Sequence, residues 1–488
     1  MVTVMGKKTS KHNFCIIGAT FIVNANVVAA EVEINPVTSG RLTFTDNRDL
    51  TPSNKKSEIV GTISAGVAID AAGNEGNLTF NYEANQTIHS SDSDRNELYN
   101  ELALSADKSI LDTNLTVDAQ AGITNISRSI EDNANSDFIT GDTIETKQFG
   151  AGVSYQSNPS GYINLYSRVD GQITSNEDDI GDFYSYGASL ILSDGSKIKN
   201  YFWLVDYTFN ENISNNTSDS NNSHVLTQEL GLQPINGLSP FVRFYYEEYN
   251  GINENDSGKF GSWGPALRYY WHERSYIEVS REISIYSNDE DYWRGALRLN
   301  PTPRTLLTFE YSKRFFGDAY DFTLSHQNRK VTNTISYTEE PSSFDRRFFV
   351  DGENIEELRL TRNLSWESNL LLRRSSLNLV IRGQERESIS DQSNTQDDRT
   401  YGFVISGRHN LSRKSSTNLS FQYDKYEFDS SEQDKQTDYY RTLELGYDYR
   451  IYEDVSMIFS VQHTDRSSSN SERSYDENRA NIEVRMKI

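Results

Sequence analysis

Residues 201–210, Tyr201-Phe202-Trp203-Leu204-Val205-Asp206-Tyr207-Thr208-Phe209-Asn210, set Tyr201, Trp203, Val205, Tyr207 and Phe209 on one face of an extended chain. The opposite face turns polar at Asp206, Thr208 and Asn210. A period of two is the signature of a half-buried β-strand, because successive side chains of a strand point to opposite faces. Residues 276–286 repeat the pattern: Ile277, Val279, Ile283 and Ile285, interrupted by Arg281, oppose Glu278, Ser280, Glu282 and Ser284. Similar alternation occupies 184–192, 242–248, 377–381 and 443–449, and helical spacing is sustained nowhere. The chain is all-β.

Working outward from these strands, two kinds of connection take turns. Long ones rich in Asp, Asn and Ser fall at 90–96, 131–142, 175–182, 211–222, 250–258, 390–398 and 429–438. Tight ones carry turn chemistry: Asn158-Pro159-Ser160-Gly161, Asp194-Gly195, Asn236-Gly237 and Asn300-Pro301-Thr302-Pro303. The long class recurs about every 40 residues, the length of one hairpin with its turn and loop, which predicts about 24 strands (22–26). Short turns at one end, longer acidic loops at the other and strands of about ten residues are the layout of a single large antiparallel transmembrane β-barrel. A secreted solenoid or a series of sandwiches explains neither the two loop classes nor the C-terminus. There Ile482, Val484, Met486 and Ile488 alternate with Glu483, Arg485 and Lys487, which reads as a closing strand. Tyr245, Tyr246, Tyr269, Tyr270, Trp271 and Trp293 suit the aromatic girdles of a membrane interface.

Composition agrees. Of 488 residues, 35% are hydrophobic and 12% aromatic, with a formal net charge of −24. A barrel needs apolar residues on only one face of each strand, and the aromatic content argues against disorder. The acidic balance gives no footprint for nucleic acid. Lys7, Lys8 and Lys11 precede the apolar run Phe14 to Val23, and Val28-Ala29-Ala30 offers small residues for cleavage. Residues 1–30 therefore read as a Sec signal peptide and 31–488 as the barrel, exported to the outer membrane of a Gram-negative cell. The single Cys15 would leave with the signal.

Particular residues in this frame resemble a known family. Thr45-Asp46-Asn47 follows the first apolar stretch after the signal. Tyr292-Trp293-Arg294-Gly295 leads to the turn at 300–305, and then come Tyr311-Ser312-Lys313-Arg314-Phe315-Phe316-Gly317-Asp318-Ala319-Tyr320, Leu324-Ser325-His326 and Ile335-Ser336-Tyr337. The order resembles the PEP-CTERM/exosortase-system-associated outer-membrane β-barrel family over essentially the whole mature chain, the Arg-Phe-Phe-Gly block being its most specific part. Ile488 replaces the terminal aromatic usual in bacterial barrels. The resemblance implies a role in exopolysaccharide production or export, as conduit or as a structural part of the export machinery. It carries over no catalytic residue.

The residues themselves point to no chemistry. The seven His show no ligand spacing, no Gly-x-Ser-x-Gly elbow occurs, and no twelve-residue calcium loop is visible in the acidic segments. The expectation is a non-enzyme without cofactor or metal. Charged residues inside strands are more informative: Arg243, Glu247, Arg294, Arg298, Glu310, Arg441 and Glu444. A charge facing lipid at the midplane costs about 2–4 kcal/mol, so these should line the lumen, either tuning passage or pairing across strands. Partners expected are membrane lipid and lipopolysaccharide outside, and an exopolysaccharide and export-complex proteins for the conduit. A diffusion porin for small solutes is the alternative, a barrel enzyme the remoter one.

Overall fold

The computed structural model describes residues 31–110, 114–158, 160–215, 220–251, 258–286, 290–342, 344–350, 357–389, 397–429 and 435–488. The expected signal peptide and Pro159 of the turn expected at 158–161 lie outside the described residues, as do residues 216–219, 252–257, 390–396 and 430–434 of the connections expected at 211–222, 250–258, 390–398 and 429–438.

The strands in chain order are β1 (Glu31–Thr45), β2 (Glu58–Gly73), β3 (Gly76–His89), β4 (Leu98–Ser109), β5 (Leu115–Ser127), β6 (Thr143–Gln156), β7 (Ile163–Asn176) and β8 (Phe183–Asp194). Next come β9 (Tyr201–Ser214), β10 (Ser220–Leu232), β11 (Leu238–Asn250), β12 (Gly258–His272), β13 (Ser275–Ser284), β14 (Tyr292–Thr302), β15 (Thr305–Arg314) and β16 (Gly317–Gln327). The last are β17 (Val331–Ser342), β18 (Arg359–Leu371), β19 (Ser375–Ser388), β20 (Asp397–Asn410), β21 (Ser415–Asp429), β22 (Gln436–Arg450), β23 (Val455–Ser468) and β24 (Tyr475–Lys487). They form one 24-stranded sheet in which every strand pairs antiparallel with its chain neighbours. β1 also pairs with β24, from Val37↔Lys487 to Thr45↔Arg479, so the sheet closes and leaves no edge. Arg41 on β1 holds Glu483 on β24 across that seam at 2.6 Å. Just beyond β1, the Asp46 carboxylate accepts the Asn478 N–H at 2.8 Å. Burial pushes the Asp46 pKa up, but the Asn478 backbone and side-chain N–H groups and the charge of Lys55 outweigh it and hold the group below its ordinary value.

The alternation read in the sequence is the inside–outside alternation of this wall. Leu42, Ile482, Leu445, Val461 and Trp293 point outward and are exposed, while Glu247, Glu278, Glu282 and Asp424 are among the most deeply buried side chains of the chain. A protein whose exposed face is apolar and whose buried face is charged has its oil on the outside, as lipid requires. Of the aromatics assigned to girdles, Tyr269, Trp271 and Trp293 point outward and exposed, and Tyr246 shares their face. Tyr245 and Tyr270 face inward: they alternate with the outward Phe244 and Tyr246, and with Tyr269 and Trp271. Tyr245 donates to Glu247 inside the barrel at 2.9 Å.

Several connections are shorter than their composition suggests. β9 runs to Ser214 and β10 begins at Ser220, β11 reaches Asn250, and β21 reaches Asp429. Asn, Asp and Ser have low strand propensity, but each such residue here extends a ladder already begun by its neighbours, and pairing overrides propensity. Asn236-Gly237 is a two-residue hairpin turn with φ of 52° and 83°, the left-handed pair that a type I′ turn requires. The turn expected at Asn300–Pro303 sits later, because β14 continues through a ladder slip to Thr302, which pairs with Thr305.

The wall predicts its own sensitivity to charge. Leu445 sits mid-strand on the outward face between Leu443 and Tyr447, paired with Leu419 and Val461. Leu445→Arg is expected to lower stability by about 2–4 kcal/mol in urea unfolding from lipid vesicles. An unchanged midpoint would remove this face from the lipid.

Candidate functional site: the lumen and its inward loops

The strand charges separate by alternation. Arg243, Glu247, Arg294, Arg298, Glu310 and Glu444 lie on the lumen face, opposite in phase to the outward Val242, Trp263, Trp293, Leu297, Phe309 and Leu443. Arg441 does not. It follows Tyr440, whose ring is 1% exposed inside the barrel, and so turns outward, where it pairs with Asp465 at 2.7 Å. It lies near the loop end of β22, above Leu443, where a charge reaches the headgroups rather than the midplane.

On the lumen face, charges form a ladder across the strands. Arg268 (β12) meets Glu229 (β10) at 3.0 Å and Glu278 (β13) at 2.7 Å. Arg294 (β14) bonds Glu278 and meets Glu310 (β15) at 2.8 Å. Arg268 also lies against the rings of Phe202, Phe241 and Tyr276. Arg243 adds Glu282 at 3.5 Å. Charges interleaved this way neutralise one another, so this wall presents matched pairs rather than a field of one sign.

Three inward structures narrow the loop end. The first is the connection after β5, residues 128–142, which carries the one-turn helix α1 (Ile130–Asn133). Arg466 on β23 donates to the Glu131 carbonyl at 2.8 Å and to the Asp132 carbonyl. Arg473 holds the Glu131 carboxylate at 2.9 Å, and Arg479 bonds Asp137 and Thr140. The Tyr440 hydroxyl accepts the Ala134 N–H at 3.1 Å, and the Tyr475 hydroxyl donates to Asn133 Oδ1 at 3.1 Å. Ile130 is buried with Val350, Tyr426, Phe428, Tyr440 and Tyr475, an apolar cluster formed inside the barrel. This strap leaves β5 and is anchored on β22 to β24.

The second is Phe344–Val350, beyond β17. Arg346 reaches Asp178, in the connection after β7, at 2.8 Å, and donates to the Arg128 carbonyl at 2.8 Å. The Ile130 N–H donates to the Phe349 carbonyl at 3.2 Å, which joins this segment to the strap. Arg386 on β19 donates to the Phe348 carbonyl at 2.5 Å. The third is the corner Phe315-Phe316 between β15 and β16. Glu247, buried on β11, accepts the Phe315 N–H at 2.8 Å and Arg314 Nε at 2.9 Å, while Phe315 packs on Tyr249. The Arg-Phe-Phe-Gly block is thus a hairpin tip folded inward. Sequence reasoning placed Glu247 in the lumen but missed Arg314, Arg346, Arg466, Arg473 and Arg479. The readable signal was the run Phe344-Asp345-Arg346-Arg347-Phe348-Phe349-Val350, too apolar for a loop that only meets water.

Beneath these loops lies a cavity of about 1200 Å³. One wall is made by β5 to β10 with Thr124, Thr146, Gln148, Gln172, Asn210 and Asn221, and the other side by Phe344, Phe348, Arg346, Arg382 and Arg386. Among the described residues there is no cluster of three or more His, Asp or Glu placed to hold a metal ion.

Residues 352–488 match a family model described as "Putative beta-barrel porin 2". Among solved structures, the FrpB iron transporter of Neisseria meningitidis is 8% identical, covering 93% of this chain and 82% of that one at a TM-score of 0.47. The siderophore receptor PirA of Pseudomonas aeruginosa is 11% identical, covering 93% and 80% at 0.41. A loop-deletion form of the outer-membrane protein OmpT of Vibrio cholerae is 10% identical, covering 94% and 100% at 0.34. No curated protein matches the sequence. The closed antiparallel ring, its apolar outer face and the match of its last seven strands to a porin family model make this chain an outer-membrane β-barrel.

Proposed function

We propose that the barrel is a gated conduit of the Gram-negative outer membrane for an exopolysaccharide, delivered there by its Sec signal. The observation that carries the reading is the strap. A connection that reaches inward from β5 to β22–β24, buries Ile130 in an apolar cluster with side chains of other segments and is anchored by three arginines and two tyrosines is a closure rather than a disordered loop. A wide, polar lumen suits a hydrated chain, and the family resemblance supplies the link to polymer export. Lipid and lipopolysaccharide then contact the outer face, and proteins of the export machinery meet the mouth. The reading assigns the barrel no bond-making chemistry and no cofactor.

Single-channel recording of the refolded protein in planar bilayers tests it, with heat-dependent gel migration as the control for folding. The intact barrel is expected to rest closed, with rare openings. Large, steady steps from the intact protein would replace this reading by a second, a general diffusion pore, which the porin family match favours.

A further inference from the structure

We infer that the lumen wall of β5 to β10 is a binding site for an uncharged, hydroxyl-rich glycan chain. The inference rests on the conduit reading and names the cargo class of that conduit. Where the wall of β10 to β15 is a ladder of charges, the loop half of this wall is built of amides and hydroxyls set in register, above one charged cluster in which Arg168 holds Asp118 and Asp170. Gln172, Ser185, Asn212 and Asn221 are direct cross-strand partners in one row, and Asp170, Gly187, Asn210 and Ser223 form the next row toward the turn end. Gln148 and Thr174 pair in the row above. Gly150, Gly152 and Gly187 face the same side, and the space over them is taken by the side chains of Gln120, Arg168 and Asp170.

Part of this lattice is committed to itself. Ser185 donates to Asn212 at 2.5 Å, and Gln172 donates to Thr174 at 3.3 Å. Thr124, Gln148, Asn210 and Ser223 make no side-chain hydrogen bond within the described protein, and Thr124, Gln148 and Asn210 are exposed to the lumen. An amide that offers two donors and an acceptor to water can exchange them, at little net cost, for the hydroxyls of a sugar. From β6 to β9 the lattice spans three strand spacings, ~14 Å, so it addresses a chain rather than one small solute.

Charge then selects among glycans. Every guanidinium lining the cavity is engaged by a carboxylate: Arg347 by Asp345, Arg382 by Asp424, Arg346 by Asp178, which Arg128 shares, and Arg386 by Asp398, which Arg359 shares. Asp170 and Glu340 also line the cavity and add negative charge. A uronate polymer must compete with those carboxylates for guanidinium groups already engaged, whereas a neutral chain meets donors, acceptors and the rings of Phe344 and Phe348.

The test is an array of immobilised oligosaccharides, neutral glucans and galactomannans beside alginate and polygalacturonate fragments, probed with the full folded barrel in detergent. Neutral chains are expected to retain the protein. The double substitution Gln148→Leu and Asn210→Leu is expected to weaken that binding about thirtyfold, from the loss of about two hydrogen bonds, without changing gel migration. Preference for the uronates, equal binding by the variant, or retention by no neutral chain would overturn the site. Conductance separates the two proposals. A barrel that holds neutral glycan but never opens leaves the site standing and ends the conduit, and one that opens but holds none does the reverse.

Discussion

Tyr440→Phe combined with Tyr475→Phe is expected to open the barrel. Both rings lie in the apolar cluster under the strap and stay there after substitution, so the packing of Ile130 and Val350 is retained. What is lost is the polar hold on α1: the Ala134 N–H loses its acceptor, and Asn133 Oδ1 loses both tyrosine donors. At about 1 kcal/mol for each position, roughly 2 kcal/mol of closure is removed, which shifts the closed-to-open ratio about thirtyfold. Single-channel recording should show the open fraction rise by that order, with unchanged unit conductance, since the pore that opens is the same one. The stronger lesion, removing residues 130–140, should give steady steps. A double variant as quiet as the parent would mean that the strap is a fixed brace, with the lumen narrowed permanently.

The sequence read as far as local physics reaches. Period-two alternation at 201–210, 276–286 and 482–488 gave the wall and its closing strand, because lipid on one side and water on the other impose the pattern on every strand separately, and the recurrence of long connections gave the strand number. The same rule assigned Arg243, Glu247, Arg294, Arg298, Glu310 and Glu444 to the inner face. It misplaced Arg441 because strand phase, not charge, decides direction: Arg441 is in phase with the outward Leu443 and Leu445, and near the loop end an outward charge reaches the headgroups. The strap was illegible for a different reason. Glu131–Asp142 is acidic and polar, as a solvated loop is, and what draws it inward is Arg466, Arg473 and Arg479, more than 300 residues away in the chain. Contacts of that range leave no periodic trace.

The ladder on the opposite wall carries the largest expected loss of stability. Glu278 is 1% exposed and is shared by Arg268 and Arg294, which reach onward to Glu229 and Glu310. Glu278→Ala leaves two guanidinium groups facing each other with only the outer carboxylates to balance them, and Arg294 is itself 7% exposed. Breaking a buried pair from one side costs about 3–5 kcal/mol, mostly the desolvation of the charge left behind rather than the worth of the pair. Urea unfolding from lipid vesicles should show that loss. Adding Arg294→Met removes one orphaned charge and lets Glu310 turn to lumen water, so the double variant should regain a large part of the stability despite having fewer ion pairs. If the double variant were as unstable as the sum of its singles, the residues would be acting independently and the ladder would be only a row of neighbours. Recovery would show that the charges on β12 to β15 are held as one neutral unit, which is why this wall can be dense in Arg and Glu and still leave the glycan-facing wall to set what passes.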